Sequence, residues 1–169
     1  MDIQEALLSR RSIRKYKSQQ ISDENISSIL KSAMYAPSAM NLQAWHFVVV
    51  NNKQVMVDIL KAIPHAEMLQ QAVASILVCG DTNVEKNEAW IVQNCSAATQ
   101  NILLSAHGFG IGSCWIGIYG SDDTFKKIKS LFQLLDNIIP ISLVSLGYPA
   151  EEIKTEERFA KEKIHINKW

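Results

Sequence analysis

The sequence predicts an α+β domain in which four central strands are flanked by helices. Three observations predict it. Four short runs rich in apolar and β-branched residues, 46–50, 74–79, 113–118 and 138–146, have the length and composition of buried strands. The segments between them carry apolar residues at three- and four-residue steps, the longest being 87–108 with Trp90, Ile91, Cys95, Ala98, Ile102, Leu103 and Ala106. With 47% hydrophobic and 20% charged residues the composition is that of a globular protein, and 169 residues suit a single domain spanning residues 1–169.

Taken in order, residues 2–9 form an amphipathic helix with Ile3, Ala6 and Leu7 on one face. A basic cluster follows at 10–17. Ser22 is a good N-cap, with Asp23 and Glu24 in the first turn and Ile26, Ile29, Leu30, Ala33 and Met34 along one face. Pro37 ends that helix, and 37–43 is a loop of small and amide residues. Strand 46–50 leads to a helix over 53–63 that stops at Pro64, with a short helix expected over 65–71. Strand 74–79 is closed by Gly80-Asp81. The long helix 87–108 contains Ser96, Ala97, Ala98 and Thr99, small enough to admit another element closely, and is broken by Gly108, Gly110 and Gly112. Strand 113–118, an amphipathic helix over 123–134 and strand 138–146 complete the core, and Gly147-Tyr148-Pro149 ends the last strand. The tail 150–169 is too polar for a core, yet its Ile164, Ile166 and Trp169 need something to pack against.

The chemistry is concentrated at residues 10–17, Arg-Arg-Ser-Ile-Arg-Lys-Tyr-Lys, where five of eight side chains are cationic in a chain of formal net charge zero. Such a local cluster reads in two ways. Arg10, Arg11 and Arg14, with Ser12 between them, can converge on one phosphate through bidentate contacts. Equally, cations after a helix complement its macrodipole. Net neutrality argues against nucleic acid as a partner, which needs a broad basic face. No apolar run reaches the ~18 residues of a membrane span. The N-terminus lacks a signal peptide, and three cysteines, Cys79, Cys95 and Cys114, form no paired framework, so a cytoplasmic location is expected.

Several chemistries are excluded by spacing. Gly108-Phe109-Gly110-Ile111-Gly112-Ser113 follows a helix and enters a strand, the reverse of a Rossmann turn, and lacks the last glycine. Neither a Walker A sequence nor a Gly-x-Ser-x-Gly elbow occurs. His46, His65, His107 and His165 are scattered, so no metal site is expected. Cys114, beside Trp115 and Ile116, reads as a buried thiol rather than a nucleophile. An anion site, an amide-rich loop and a glycine turn without acid–base groups suit an enzyme whose cofactor carries the chemistry.

Five blocks resemble the FMN-dependent nitroreductase family, in the family's order and over essentially the whole chain: Arg10-Arg-Ser-Ile-Arg14, Ala36-Pro-Ser-Ala-Met-Asn-Leu-Gln-Ala-Trp45, Gly110-Ile-Gly-Ser-Cys-Trp-Ile-Gly117, Gly147-Tyr-Pro-Ala-Glu-Glu152 and His165-Ile-Asn-Lys-Trp169. The resemblance implies a nitroreductase-like fold with a mixed, mostly antiparallel sheet, and a homodimer whose C-terminal tail extends onto the partner and whose interface holds two FMN molecules. It implies that Arg10, Arg11, Ser12 and Arg14 hold the flavin phosphate and ribityl chain, with Arg158 a second phosphate-binding arginine. Pro37, Ser38, Ala39, Asn41 and Gln43 would reach the partner's flavin, while Trp115, Ile116 and Gly117 lie along the ring with a backbone N–H directed at N5. For Asn41 and Gln43 the competing role is loop capping; for Trp45 and Trp169 it is packing.

Two features depart from the pattern. Pro64 and Glu67 stand where some members carry Asn and Lys against the flavin pyrimidine, and the loop between Gly80 and Glu88 is too short to form the lid of longer members. A small enzyme with an open site is expected. It would pass hydride from NADH or NADPH to an oxidised small-molecule acceptor such as a nitroaromatic or quinone, by a ping-pong mechanism without a catalytic side chain. The alternatives are another FMN reaction (dehalogenation, azoline oxidation, flavin cleavage) and a flavin-binding protein without useful turnover.

Overall fold

The computed structural model describes all of Met1–Trp169. Five α-helices, α1 (Ile3–Ser9), α2 (Asp23–Met34), α3 (Lys53–Ala62), α4 (Glu88–Gly108) and α5 (Asp122–Leu131), surround four strands, β1 (Trp45–Val50), β2 (Ala74–Asp81), β3 (Gly112–Gly117) and β4 (Ile138–Gly147). All four expected strands form, in the order β1-β2-β4-β3. Every neighbouring pair is antiparallel, so the sheet is not mixed among its own strands. The one parallel pairing is an isolated bridge between Ser12 and Ser113.

Helix starts follow local chemistry. Ser22 Oγ accepts from Asn25 N–H at 3.2 Å, and Asn52 and Asn87 cap α3 and α4 through their side-chain oxygens. Helix α4 ends in a Schellman motif: Ile111 N–H donates to Ala106 O at 2.8 Å, Gly110 N–H donates to His107 O at 2.9 Å, and Gly110 has φ +70°. The same motif ends α5 three residues before the expected Leu134, because Gln133 adopts φ +49°. The short helix expected over 65–71 is a 3₁₀ turn, Glu67–Gln70.

Central strands β2 and β4 are buried on both faces. Ile76 and Val78 pack against α2 and α4 through Ile29, Ala33, Ala98 and Ile102. Their alternates Leu77 and Cys79 pack on the other face with Met56, Ile59, Ile116 and Ile128 from α3, β3 and α5. Trp45 lies in the first cluster, as its packing role requires. All three cysteines are buried and unpaired. No helix is long and apolar enough to cross a membrane. Strand β3 is left at one edge of the sheet.

Candidate functional site

The basic segment leaves α1 and runs as an arch over the end of β3 and β4. Ile13 N–H donates to Ser113 O at 2.9 Å, and Lys17 N–H donates to Tyr148 O at 2.8 Å. Two glycines make room for it. Gly112 and Gly147 face each other across β3 and β4; a Cβ on Gly112 would come within 2.9 Å of Ile13, and one on Gly147 within 2.7 Å of the Tyr16 ring. Tyr16 is 5% exposed, donates its hydroxyl to Ile13 O at 2.6 Å and shares a hydrogen bond of 2.8 Å with Ser145 Oγ. Burial holds that hydroxyl well above the ordinary phenol range. The glycine cluster therefore serves a helix end and the seat of the arch.

All four arginines of the chain meet at this arch. Arg11 donates to Leu8 O at 3.0 Å, to Arg10 O at 2.7 Å and to Glu156 O at 3.4 Å, so its guanidinium caps α1 and ties down the tail. Arg10, Arg14 and Arg158 are different. Three ion pairs form in the whole chain, and none contains an arginine. Burial lowers the Arg10 pKa, and the positive charges of Arg158 and then Arg11 lower it further. His107 lines the same cavity of about 250 Å³ as Arg10, Ser113 and Glu151. Ser9 Oγ donates to Glu5 O at 2.6 Å and accepts from His107 Nε2 at 2.7 Å. Burial and then Arg10 lower the His107 pKa. Cys114 is 3% exposed, and burial pushes its thiol up against the smaller opposing pulls of Arg14, Ser12 and Arg10, as suits a structural cysteine.

From Ser113 the edge strand runs four residues, ~13 Å, to Gly117. Ile116 is buried in the core with Leu143, whereas Trp115 and Gly117 are exposed. No atom outside its chain neighbours lies within 4 Å of the position a Gly117 Cβ would take. Arg10, Ser12 and Arg14 thus lie on the arch that pairs with the start of β3, and Trp115 and Gly117 are exposed farther along that edge strand, while the Ile116 side chain faces the core.

The loop 37–43 is not among them. Met40, Asn41 and Gln43 have φ of 50°, 55° and 52°, costing of order 1–3 kcal/mol each and pointing to a functional constraint. Ala39 N–H donates to Asn94 Oδ1 at 3.1 Å, Gln43 N–H to Ser38 Oγ at 3.0 Å, and Gln43 Nε2 to Asn41 Oδ1 at 2.8 Å. The side-chain amides of Asn41 and Gln43 thus bond each other, while the loop backbone is capped by Ser38 and Asn94. The loop is anchored to α4 at Asn94, and the last residue of α1, Ser9, from which the arch departs, is anchored to α4 at His107, thirteen residues or ~20 Å along the helix. Pro64 and Glu67 are exposed, Pro64 before the 3₁₀ turn and Glu67 at its first position.

Sequence reasoning missed Tyr16, Asn94 and Glu151. Asn94 had a local signal, being an isolated amide on the buried apolar face of α4. Glu151 sits inside the Gly147–Glu152 block, but its partners are the backbone of Arg14 and Lys15.

The nitroreductase family model matches residues 7–77 and 64–148. A Methanothermobacter thermautotrophicus protein, provisionally named NADH dehydrogenase/NAD(P)H nitroreductase, is 43% identical over all of this chain and 88% of its own length. A Parabacteroides distasonis crystal structure carrying the same provisional name superposes with TM-score 0.94 at 33% identity, covering 98% of each chain. An FMN-dependent nitroreductase from Clostridium difficile superposes with TM-score 0.91 at 31% identity, covering 99% of this chain and 100% of its own. Sequence, order of motifs and fold agree, and this chain belongs to the nitroreductase family.

Proposed function

We propose that the protein is an FMN-dependent NAD(P)H oxidoreductase, with residues 1–169 acting as one flavin-binding domain within a homodimer. Arg10, Arg14 and Arg158 carry the proposal: three guanidinium groups without a carboxylate partner, beside the free edge of β3. Such a donor set suits a phosphate ester, with Ser12 adding a hydroxyl. Arg11 contributes mainly by fixing the arch and tail. The open side of Gly117 suits a planar ring lying close to the backbone, and exposed Trp115 walls it. When bound, FMN would supply the hydride chemistry, accepting from NADH or NADPH and giving to a nitroaromatic or quinone in separate half-reactions.

The chain's own part is to bind, orient and leave access. Cys114 and His107 are engaged structurally, so neither is needed as an acid or base. The ~20 Å between loop 37–43 and the arch supports two shared sites, in which Pro37, Ser38, Ala39, Asn41 and Gln43 approach the flavin held by the partner's arch. The short Gly80–Glu88 loop leaves the acceptor side open.

Titration of apo-protein with FMN and riboflavin tests the assignment. Arg14→Ala and Arg158→Ala should each weaken FMN binding about 10- to 100-fold, since charge-assisted bonds are worth ~1.5–3 kcal/mol. Riboflavin binding the wild type as tightly as FMN would overturn it. Parallel double-reciprocal plots for NAD(P)H and menadione are expected from alternating substrates; absence of turnover would leave a flavin-binding protein.

A further inference from the structure

We propose that Glu151 is a positioning residue that makes the site selective for a phosphorylated flavin. This inference rests on the phosphate assignment proposed above. Glu151 Oε1 accepts from two consecutive amides of the arch, Arg14 N–H at 2.6 Å and Lys15 N–H at 3.1 Å. Two amides converging on one oxygen make a small anion-binding nest, here filled by the protein's own carboxylate. Next to this contact, Ala150 N–H donates to Lys15 O at 2.9 Å and Lys17 N–H to Tyr148 O at 2.8 Å. The turn 148–151 is therefore stitched to the arch along its length.

The stretch beyond Glu151 gives this anchor its importance. Residues 152–160 are in no helix or strand, yet they deliver Arg158 to the neighbourhood of Arg10. The fastenings of this stretch are Glu151 at its start and the long Arg11 contact to Glu156 O. Glu151 thus sets both the curvature carrying Arg10 and Arg14 and the exit direction of the tail carrying Arg158. It occupies the amides of Arg14 and Lys15, leaving the three guanidinium groups to the ligand.

A carboxylate this near a phosphate site could instead act by charge, repelling the ligand, and the two roles separate cleanly. Glu151→Gln keeps the reach and an acceptor oxygen but removes the charge; Glu151→Asp keeps the charge but shortens the reach. FMN and riboflavin affinities of the full-length apo-protein would be measured by fluorescence quenching, with thermal melts beside them. Positioning requires E151Q to keep the wild-type FMN-to-riboflavin affinity ratio within about threefold. It requires E151D and E151A to lose tenfold or more of that ratio while riboflavin affinity stays within twofold. An unchanged ratio in E151D, or tighter FMN binding in E151Q, would overturn the inference. Equal binding of the two flavins by the wild type would overturn the phosphate assignment itself. Should E151A fail to fold, the contrast between E151D and E151Q decides the matter.

Discussion

Each polar side chain at the arch can be assigned by asking what it would lack if moved. Arg11 would leave the carbonyls at the end of α1 without a donor. Tyr16 would leave Ile13 O and Ser145 Oγ. Arg10, Arg14 and Arg158 would leave nothing within the chain, which is why they are free for a ligand. The same question asked of Cys79 and Cys95 gives a pH dependence. Burial pushes both thiols up to about 12, from an ordinary value near 9. The unfolded chain therefore releases these protons first. Their stabilising contribution is whole below pH ~9 and falls as pH rises toward 12, by ~1.4 kcal/mol per thiol per pH unit. Urea unfolding at pH 8.5, 9.5 and 10.5 should show falling midpoints, and the Cys79→Ala/Cys95→Ala double variant a distinctly shallower decline. An equal slope in both proteins would refute the assignment.

Elements were legible where their determinants are local. Ser22 and the prolines at 37 and 64 mark helix limits by chemistry within a few residues, and the four strands declare themselves by composition. Helix α5 escaped this logic because its C-cap uses Gln133 in the left-handed region, where glycine would have signalled the end. That choice carries a cost of roughly 1 kcal/mol for a side chain at positive φ, partly offset by the greater freedom of glycine in the unfolded chain. Gln133→Gly should therefore stabilise the protein by up to ~0.5 kcal/mol in chemical denaturation without altering flavin binding; a destabilised variant would mean the Gln133 side chain has an unrecognised contact. The site divides the same way. Its arginines were legible because three lie within five residues, whereas Tyr16, Asn94 and Glu151 act on partners 55 to 137 residues away.

At the scale of the whole molecule, one chain leaves apolar surface that a second copy would cover. Ile3, Leu8, Met34, Tyr35, Phe159, Ile164 and Ile166 are exposed, and Trp169 is 100% exposed, stacked only on His165 at 4.3 Å between ring centroids. Exposed residues of this size gathered on α1, α2 and the tail are more than scattered surface hydrophobics. Sequence pattern revealed that the tail lacked a local partner, but the sheet order that separates arch from loop depends on long-range pairing and was not readable from periodicity. The tail has two tasks on this account, bringing Arg158 to the arch and burying its apolar end on the partner. Removing residues 155–169 takes away both, so the truncated chain should lose FMN, sediment as a monomer or aggregate, and melt at lower temperature than the full chain. Trp169→Ala alone keeps Arg158 and separates the tasks: dimerisation should weaken several-fold by sedimentation at micromolar concentration, while phosphate preference between FMN and riboflavin persists in whatever dimer remains. A full-length protein that sediments as a flavin-saturated monomer would defeat the shared-site arrangement.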